Sequence, residues 1–232
     1  MSFLALSGLP RTGSTLLSAI LSQNPEIHAE GNSAVCQIMW DVQQSCRNGA
    51  SQQLEANNRQ STQDDLLRAI PAIYYKDTKA IHIVDKCRSW TLPANMDMLK
   101  RYVRDDPKVI VLTRPIDEIV RSFVELRKAN NWQGDLESDL LIPDSEPIMR
   151  SLNGVKWAQE NNSGEFLFIE YSDLVADTAE VVASIYEFSG IEPFNHNFSY
   201  IENKYPENDL VYGLKGMHEI RSVVGMKALT TP

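Results

Sequence analysis

Four short apolar runs, separated by stretches of helical periodicity, constrain this chain more than any other feature. Phe3 to Ser7 stops at Gly8, Ala80 to Val84 is short and largely β-branched, Lys108-Val109-Ile110-Val111-Leu112-Thr113 is the clearest run, and Glu165 to Glu170 is the fourth. Runs of this length between turn residues are strands buried on both faces. Helical patterns lie between them. Thr15 to Leu21 carries a broad apolar face, and Leu92 to Val103 ends before Asp105-Asp106-Pro107, a stop signal. Ile116, Ile119, Val120, Phe123 and Leu126 mark one helix face, and a last helix from about Asp177 to Phe188 closes at Gly190. Strand alternating with helix predicts an α/β fold with a central parallel β-sheet flanked by helices on both faces.

The chain has 232 residues, enough for one domain and tight for two. A chain of this size buries more than about two-thirds of its extended surface, so neither disulfide nor metal is needed to hold it. We expect a single domain over 1–232. Residues 42–65, rich in Gln, Asn and Ser, and residues 130–146, acidic and punctuated by Pro and Gly, break the rhythm. Both read as insertions and candidates for covering a ligand site. The net charge of −9 argues against coating nucleic acid or an anionic membrane, while a locally positive pocket still admits a small anion. Cys36, Cys46 and Cys87 are odd in number and show no CxxC pairing, which fits reduced thiols. With no apolar window near about 20 residues and no basic leader, a cytoplasmic location is expected.

The first strand runs into Gly8-Leu9-Pro10-Arg11-Thr12-Gly13-Ser14-Thr15 and then directly into a helix. A glycine turn there aims backbone N–H groups at one point, where the helix dipole also favours an anion. A plain turn with Ser14 and Thr15 as caps would not need Arg11, a cation inside the loop. The nucleoside-triphosphate pattern G-x-x-x-x-G-K-S/T puts a lysine where Ser14 stands, so the loop is of P-loop type without the kinase lysine.

The strand ending at Arg114 feeds a helix that carries Ser122 eight residues on. A strand end delivers its side chains to the crevice at the carboxyl edge of a parallel sheet, so Arg114 and Ser122 form a candidate second anion site. The alternative is an arginine paired with Asp117 or Glu118 and a solvated serine.

Together these segments resemble the sulfotransferases that use 3′-phosphoadenylyl sulfate (PAPS). Pro10 to Leu17 resembles their 5′-phosphosulfate loop, and Val109 to Arg127 their 3′-phosphate motif. Val84-Asp85-Lys86 is similar to their central strand, and Ile169 to Leu174 to the segment before a late helix. The arginine in the loop is closer to the Golgi-type, tyrosylprotein and bacterial branches than to the cytosolic steroid and phenol enzymes.

The resemblance implies sulfuryl transfer from PAPS to a hydroxyl or amine, with 3′,5′-ADP (PAP) as product and no metal. Arg11, Thr12, Gly13, Ser14 and Thr15 would hold the 5′-phosphate, and Lys86 the transferring sulfuryl oxygens. Arg114 and Ser122 would hold the 3′-phosphate; Tyr171 matches a position beside the nucleotide, with a core aromatic as the alternative. Lys215 is a candidate phosphate contact, set against a solvated lysine in a tail. Cytosolic members place a histidine two residues after the lysine, where this chain has Arg88. The expected general base is Glu30, with His28 and Glu26 as rivals on the same side of a short strand. The acceptor, whether small molecule, carbohydrate or peptide, is open, as is the oligomeric state. The competing readings are a P-loop kinase or NTPase and a PAP-binding module without catalysis.

Overall fold

The computed structural model describes residues 2–224. Met1 and residues 225–232, which the single-domain expectation includes, lie outside the described residues. Five strands, β1 (Ser2–Gly8), β2 (Ile27–Asn32), β3 (His82–Lys86), β4 (Lys108–Thr113) and β5 (Phe166–Glu170), form one sheet in the order β2-β3-β1-β4-β5. Every neighbouring pair is parallel. β1 lies between β3 and β4, so the carboxyl ends of these three strands share one edge, where the strand order changes direction.

Side-chain alternation divides the interior into two cores. Phe3 and Ala5 of β1 and Val109 and Val111 of β4 face Met39, Leu67, Trp90, Phe123 and Val155. These come from α2 (Val35–Gln44), α4 (Thr62–Tyr74), a 3₁₀ turn (Arg88–Thr91), α6 (Ile116–Ala129) and α7 (Met149–Glu160). Leu4 and Leu6, with Ile110 and Leu112, face Leu17, Ile20 and Leu21 of α1 (Ser14–Leu21) and Val182, Ile185 and Tyr186 of α9 (Thr178–Ser189). Each fully buried Leu, Ile or Phe contributes about 1.5–3 kcal/mol, so a sheet covered on both faces is the chief stabilising feature. The fold is a single α/β domain with a parallel sheet and helices on both faces.

Asp85 is a polar exception inside the first core. It is fully buried and accepts from Ser33 Oγ (2.6 Å), Tyr75 Oη (2.8 Å) and Trp90 Nε1 (2.6 Å). Burial pushes its carboxyl upward, and the three donors pull the other way without cancelling the rise.

Two segments differ from their sequence reading. Residues 42–65 are mostly helical: the end of α2, a π-turn (Ser45–Gly49), α3 (Ser51–Ala56) and the start of α4. Their polar composition follows from exposure, since α3 buries no residue. The expected helix over Leu92–Val103 divides into α5 (Pro93–Met98) and a π-turn (Leu99–Val103). Residues 130–146 are irregular and tied down by Arg127, which donates to Leu136 O at 2.9 Å and meets Asp139 at 2.6 and 2.9 Å. Among the described residues no helix is long and apolar enough to cross a membrane.

Candidate active site

The turn after β1 is shaped by close backbone approach. Gly8 has φ +121°, and a Cβ there would stand 2.1 Å from Leu112 O, so β1 ends pressed against β4. Leu9 N donates to the same carbonyl at 2.9 Å. Arg11 adopts the left-handed region at φ +60°, and Gly13 follows at φ +81° as the cap of α1. Fully buried Thr12 closes the turn by donating Oγ1 to Leu9 O at 2.7 Å. The first-turn N–H groups of Ser14 and Thr15 have no partner within the helix and open toward a cavity of about 940 Å³. A cavity of this size is in the range of small-molecule sites.

The structure brings Arg11, Gly13, Ser14, Thr15, Lys86, Arg114, Ser122 and Tyr171, the first residue of α8 (Tyr171–Ala176), together around that cavity. Arg11 Nε donates to Ser122 Oγ at 3.0 Å, and Arg11 Nη1 donates to Met217 O. Arg114 Nη1 donates to Arg11 O at 2.9 Å, its Nε meets Glu118 Oε2 at 2.9 Å, and its guanidinium lies 4.3 Å from the Tyr171 ring centroid. A guanidinium held over an aromatic face keeps its plane fixed. Burial, followed by the Arg114 charge, lowers the proton affinity of Arg11. Two cations held this close are an environment that an anion would relieve.

Lys86 projects from the end of β3 on the α1 side, 3.4 Å from Thr15 Oγ1. Its side chain is only 3 % exposed, and its ammonium meets Glu207 Oε2 at 3.0 Å. Burial lowers the lysine, and Glu207 restores part of the loss. Glu207 feels burial in the opposite sense, but Lys86, the Asn32 amide and His218 outweigh it and hold the carboxyl below its usual value. Its Oε1 accepts from Asn32 N (3.1 Å) and Asn32 Nδ2 (3.0 Å). The approach requires Gly31, where a Cβ would fall 2.3 Å from Glu207 Cδ. Glu207, Asp209 and His218 thus stand at the site although the sequence reading gave them no part. They follow α9, Asp209 opening a 3₁₀ turn (Asp209–Tyr212), beyond the last segment with strand or helix periodicity.

Other expected residues lie elsewhere. Glu30 accepts from His28 at 3.1 Å, and His28 packs against Tyr75 and Tyr205, with centroids 5.6 and 4.8 Å away. Strand alternation puts this pair on the Tyr75 side of the sheet, opposite Lys86, and neither residue is among those lining the cavity. Glu26 is exposed before β2. Lys215 is exposed too; its backbone is clasped by Asn130, with N to Oδ1 at 2.8 Å and Nδ2 to O at 3.0 Å. Of the two insertions, 42–65 contributes no described residue to the cavity lining, and 130–146 contributes Glu146, 3.6 Å from Arg88.

This parallel-sheet fold has known relatives. The sulfotransferase family model matches residues 4–196, and the chain belongs to that family. Among solved structures it is similar to the sulfotransferase domain of the Synechococcus PCC 7002 olefin synthase. The identity there is 19 %, the TM-score 0.59, and the coverage 95 % of this chain and 88 % of that one. The sulfotransferase from Alicyclobacillus acidocaldarius is 14 % identical at TM-score 0.56, covering 90 % and 87 %. The sulfotransferase domain from the curacin biosynthetic pathway is 19 % identical at TM-score 0.54, covering 84 % and 75 %. At these identities the likeness concerns the fold. No curated protein sequence matches the chain.

Proposed function

We propose that this sulfotransferase-family protein moves a sulfuryl group from PAPS to a hydroxyl or amine of a small-molecule, carbohydrate or peptide acceptor, with no metal in the step. The observation that carries the reading is the convergence of Arg11, Lys86 and Arg114 on one cavity at the carboxyl edge of the sheet, beside the amides that open α1. Sulfuryl transfer needs little covalent help from a protein and much positioning and charge stabilisation. In this reading Arg11 and the amides from Thr12 to Thr15 stabilise the 5′-phosphate as it leaves, and Lys86 takes the sulfuryl oxygens in exchange for Glu207. Arg114 and Ser122 select a 3′-phosphate, with Tyr171 against the nucleotide. Ser14, standing where a triphosphate site has lysine, speaks against ATP chemistry. The thiols Cys36, Cys46 and Cys87 fit a reducing cytoplasm.

Thermal shift with 3′,5′-ADP against ATP plus Mg²⁺ tests the reading, because a ligand raises stability only by binding the folded state. We expect stabilisation by 3′,5′-ADP alone. Stabilisation by ATP plus Mg²⁺ alone would replace it with a kinase. Transfer of radiolabelled sulfate from PAPS to a panel of acceptors separates an enzyme from a binding module.

A further inference from the structure

The roles assigned so far leave no group to take the acceptor's proton, and the cavity contains a histidine with the geometry of a base. His218 lines the cavity with Lys86, its side chain 9 % exposed. Its Nδ1 lies 2.6 Å from Asp209 Oδ1, and its backbone amide donates to Asp209 Oδ2 at 3.1 Å. A carboxylate on Nδ1 fixes the proton on that nitrogen and leaves the Nε2 lone pair for chemistry. The far side of the ring agrees, since the Asn32 Nδ2 donor lies 3.2 Å from Nε2. Nε2 is therefore an acceptor, at present facing the Asn32 amide. Glu207 Oε2 links the ring to the lysine, 3.7 Å from Nε2 and 3.0 Å from Lys86 Nζ. Glu207 is a poorer base, because against burial Lys86, the Asn32 amide and His218 hold its carboxyl below its usual value. Glu30 lies on the other side of the sheet.

Resting on the sulfuryl-transfer reading, we propose that His218 Nε2 is the base that deprotonates the acceptor, with Asp209 as the positioning residue for its ring. The acceptor oxygen or nitrogen forms its bond to sulfur as the bond from sulfur to the bridging oxygen breaks. That electron pair leaves with the 5′-phosphate, and the acceptor's proton passes to Nε2. The products are a sulfate ester or sulfamate, 3′,5′-ADP and an imidazolium between the Asp209 and Glu207 carboxylates, which returns its proton to solvent. The reaction consumes no other reagent.

The test uses the full chain with radiolabelled PAPS and a panel of a phenol, a primary alcohol, an aryl amine and water. A base contributes on the order of 10²–10⁴ in rate, so His218→Gln is expected to lower kcat about 100-fold or more while the Kd for 3′,5′-ADP stays within about twofold. His218→Gly should recover turnover on addition of imidazole, which a merely structural role would not allow. Asp209→Asn should lower kcat with the acceptor KM unchanged, and Asp209→Glu should restore part of it. Full kcat in His218→Gln, or loss of turnover in Glu30→Gln with His218→Gln active, overturns the assignment and leaves the sulfotransferase reading intact. A wild-type chain that binds 3′,5′-ADP yet transfers to nothing in the panel overturns both the catalytic reading and this one. A chain that fails to bind 3′,5′-ADP removes their common foundation.

Discussion

Arg11 Nε donates to Ser122 Oγ at 3.0 Å although 111 residues separate the two. The loop after β1 and the middle of α6 are thereby locked, and Arg114 ties the same loop by donating to Arg11 O. The two candidate anion motifs of the sequence line one cavity in the fold. Arg11 sits at their junction, in a backbone conformation that L-residues seldom adopt.

Arg114→Ala is expected to weaken 3′,5′-ADP far more than 5′-AMP. A hydrogen bond to a charged group contributes about 1.5–3 kcal/mol, which corresponds to roughly a 10- to 150-fold change in Kd. Ser122→Ala should fall at the lower end of that range, again for the 3′-phosphorylated ligand. Calorimetric titration with both nucleotides reads the difference, and equal losses for the two would contradict a 3′-phosphate role.

Glu207→Gln should destabilise the protein by about 2 kcal/mol at neutral pH, because it leaves the buried Lys86 ammonium without its counter-charge. The sign with pH follows from the carboxyl being held below its ordinary value of 4.5. Its contribution is present above that value and is lost as pH falls through the lower folded value. Urea midpoints of wild type and variant should therefore differ at pH 7 and converge in acid. A gap that stays constant down to acid denaturation would show that the charge is not what matters.

Gly8→Ala should be among the most damaging single substitutions outside the cavity. The added methyl would meet Leu112 O at 2.1 Å, and Gly8 holds φ +121°, a region essentially reserved for glycine. We expect a loss of about 3 kcal/mol or more and a lower melting temperature. A variant that melts with the wild type would mean that β1 and β4 can part at this end without cost.

Asp85→Ala should cost about 3–5 kcal/mol, since Ser33, Tyr75 and Trp90 would each lose a buried acceptor. The same carboxyl is pushed above its usual value of 3.8, so its folded state holds the proton more tightly than the unfolded chain does. That contribution is fully present in acid and declines as pH rises through the elevated folded value. Chemical denaturation of wild type and variant at several pH values checks both the size and the slope.

β1, β3, β4 and β5 were legible because a sheet covered on both faces demands uninterrupted apolar runs, whereas the edge strand β2, Ile27-His28-Ala29-Glu30-Gly31-Asn32, is not such a run. The expected run Lys108 to Thr113 and β4 coincide, and the helix closed by Gly190 ends there, at φ +67°. β3 reaches two residues beyond the apolar run, because Asp85 and Lys86 stay in the ladder opposite Ala5 and Leu6 despite their charge. The exposed helix α3 was illegible for a physical reason: a helix that buries nothing has no apolar stripe. The cationic half of the cavity could be read because Arg11, Lys86 and Arg114 stand at or just after the carboxyl ends of β1, β3 and β4. Its acidic half could not, since Glu207 reaches Lys86 across 121 residues from chain without repeat or period.

The family match ends at residue 196, whereas Glu207, Asp209 and His218 follow it. A change confined to that tail would alter what Lys86 meets while leaving every matched position untouched. Grouping relatives by the matched span is therefore blind to the groups that meet Lys86 from the far side of the crevice.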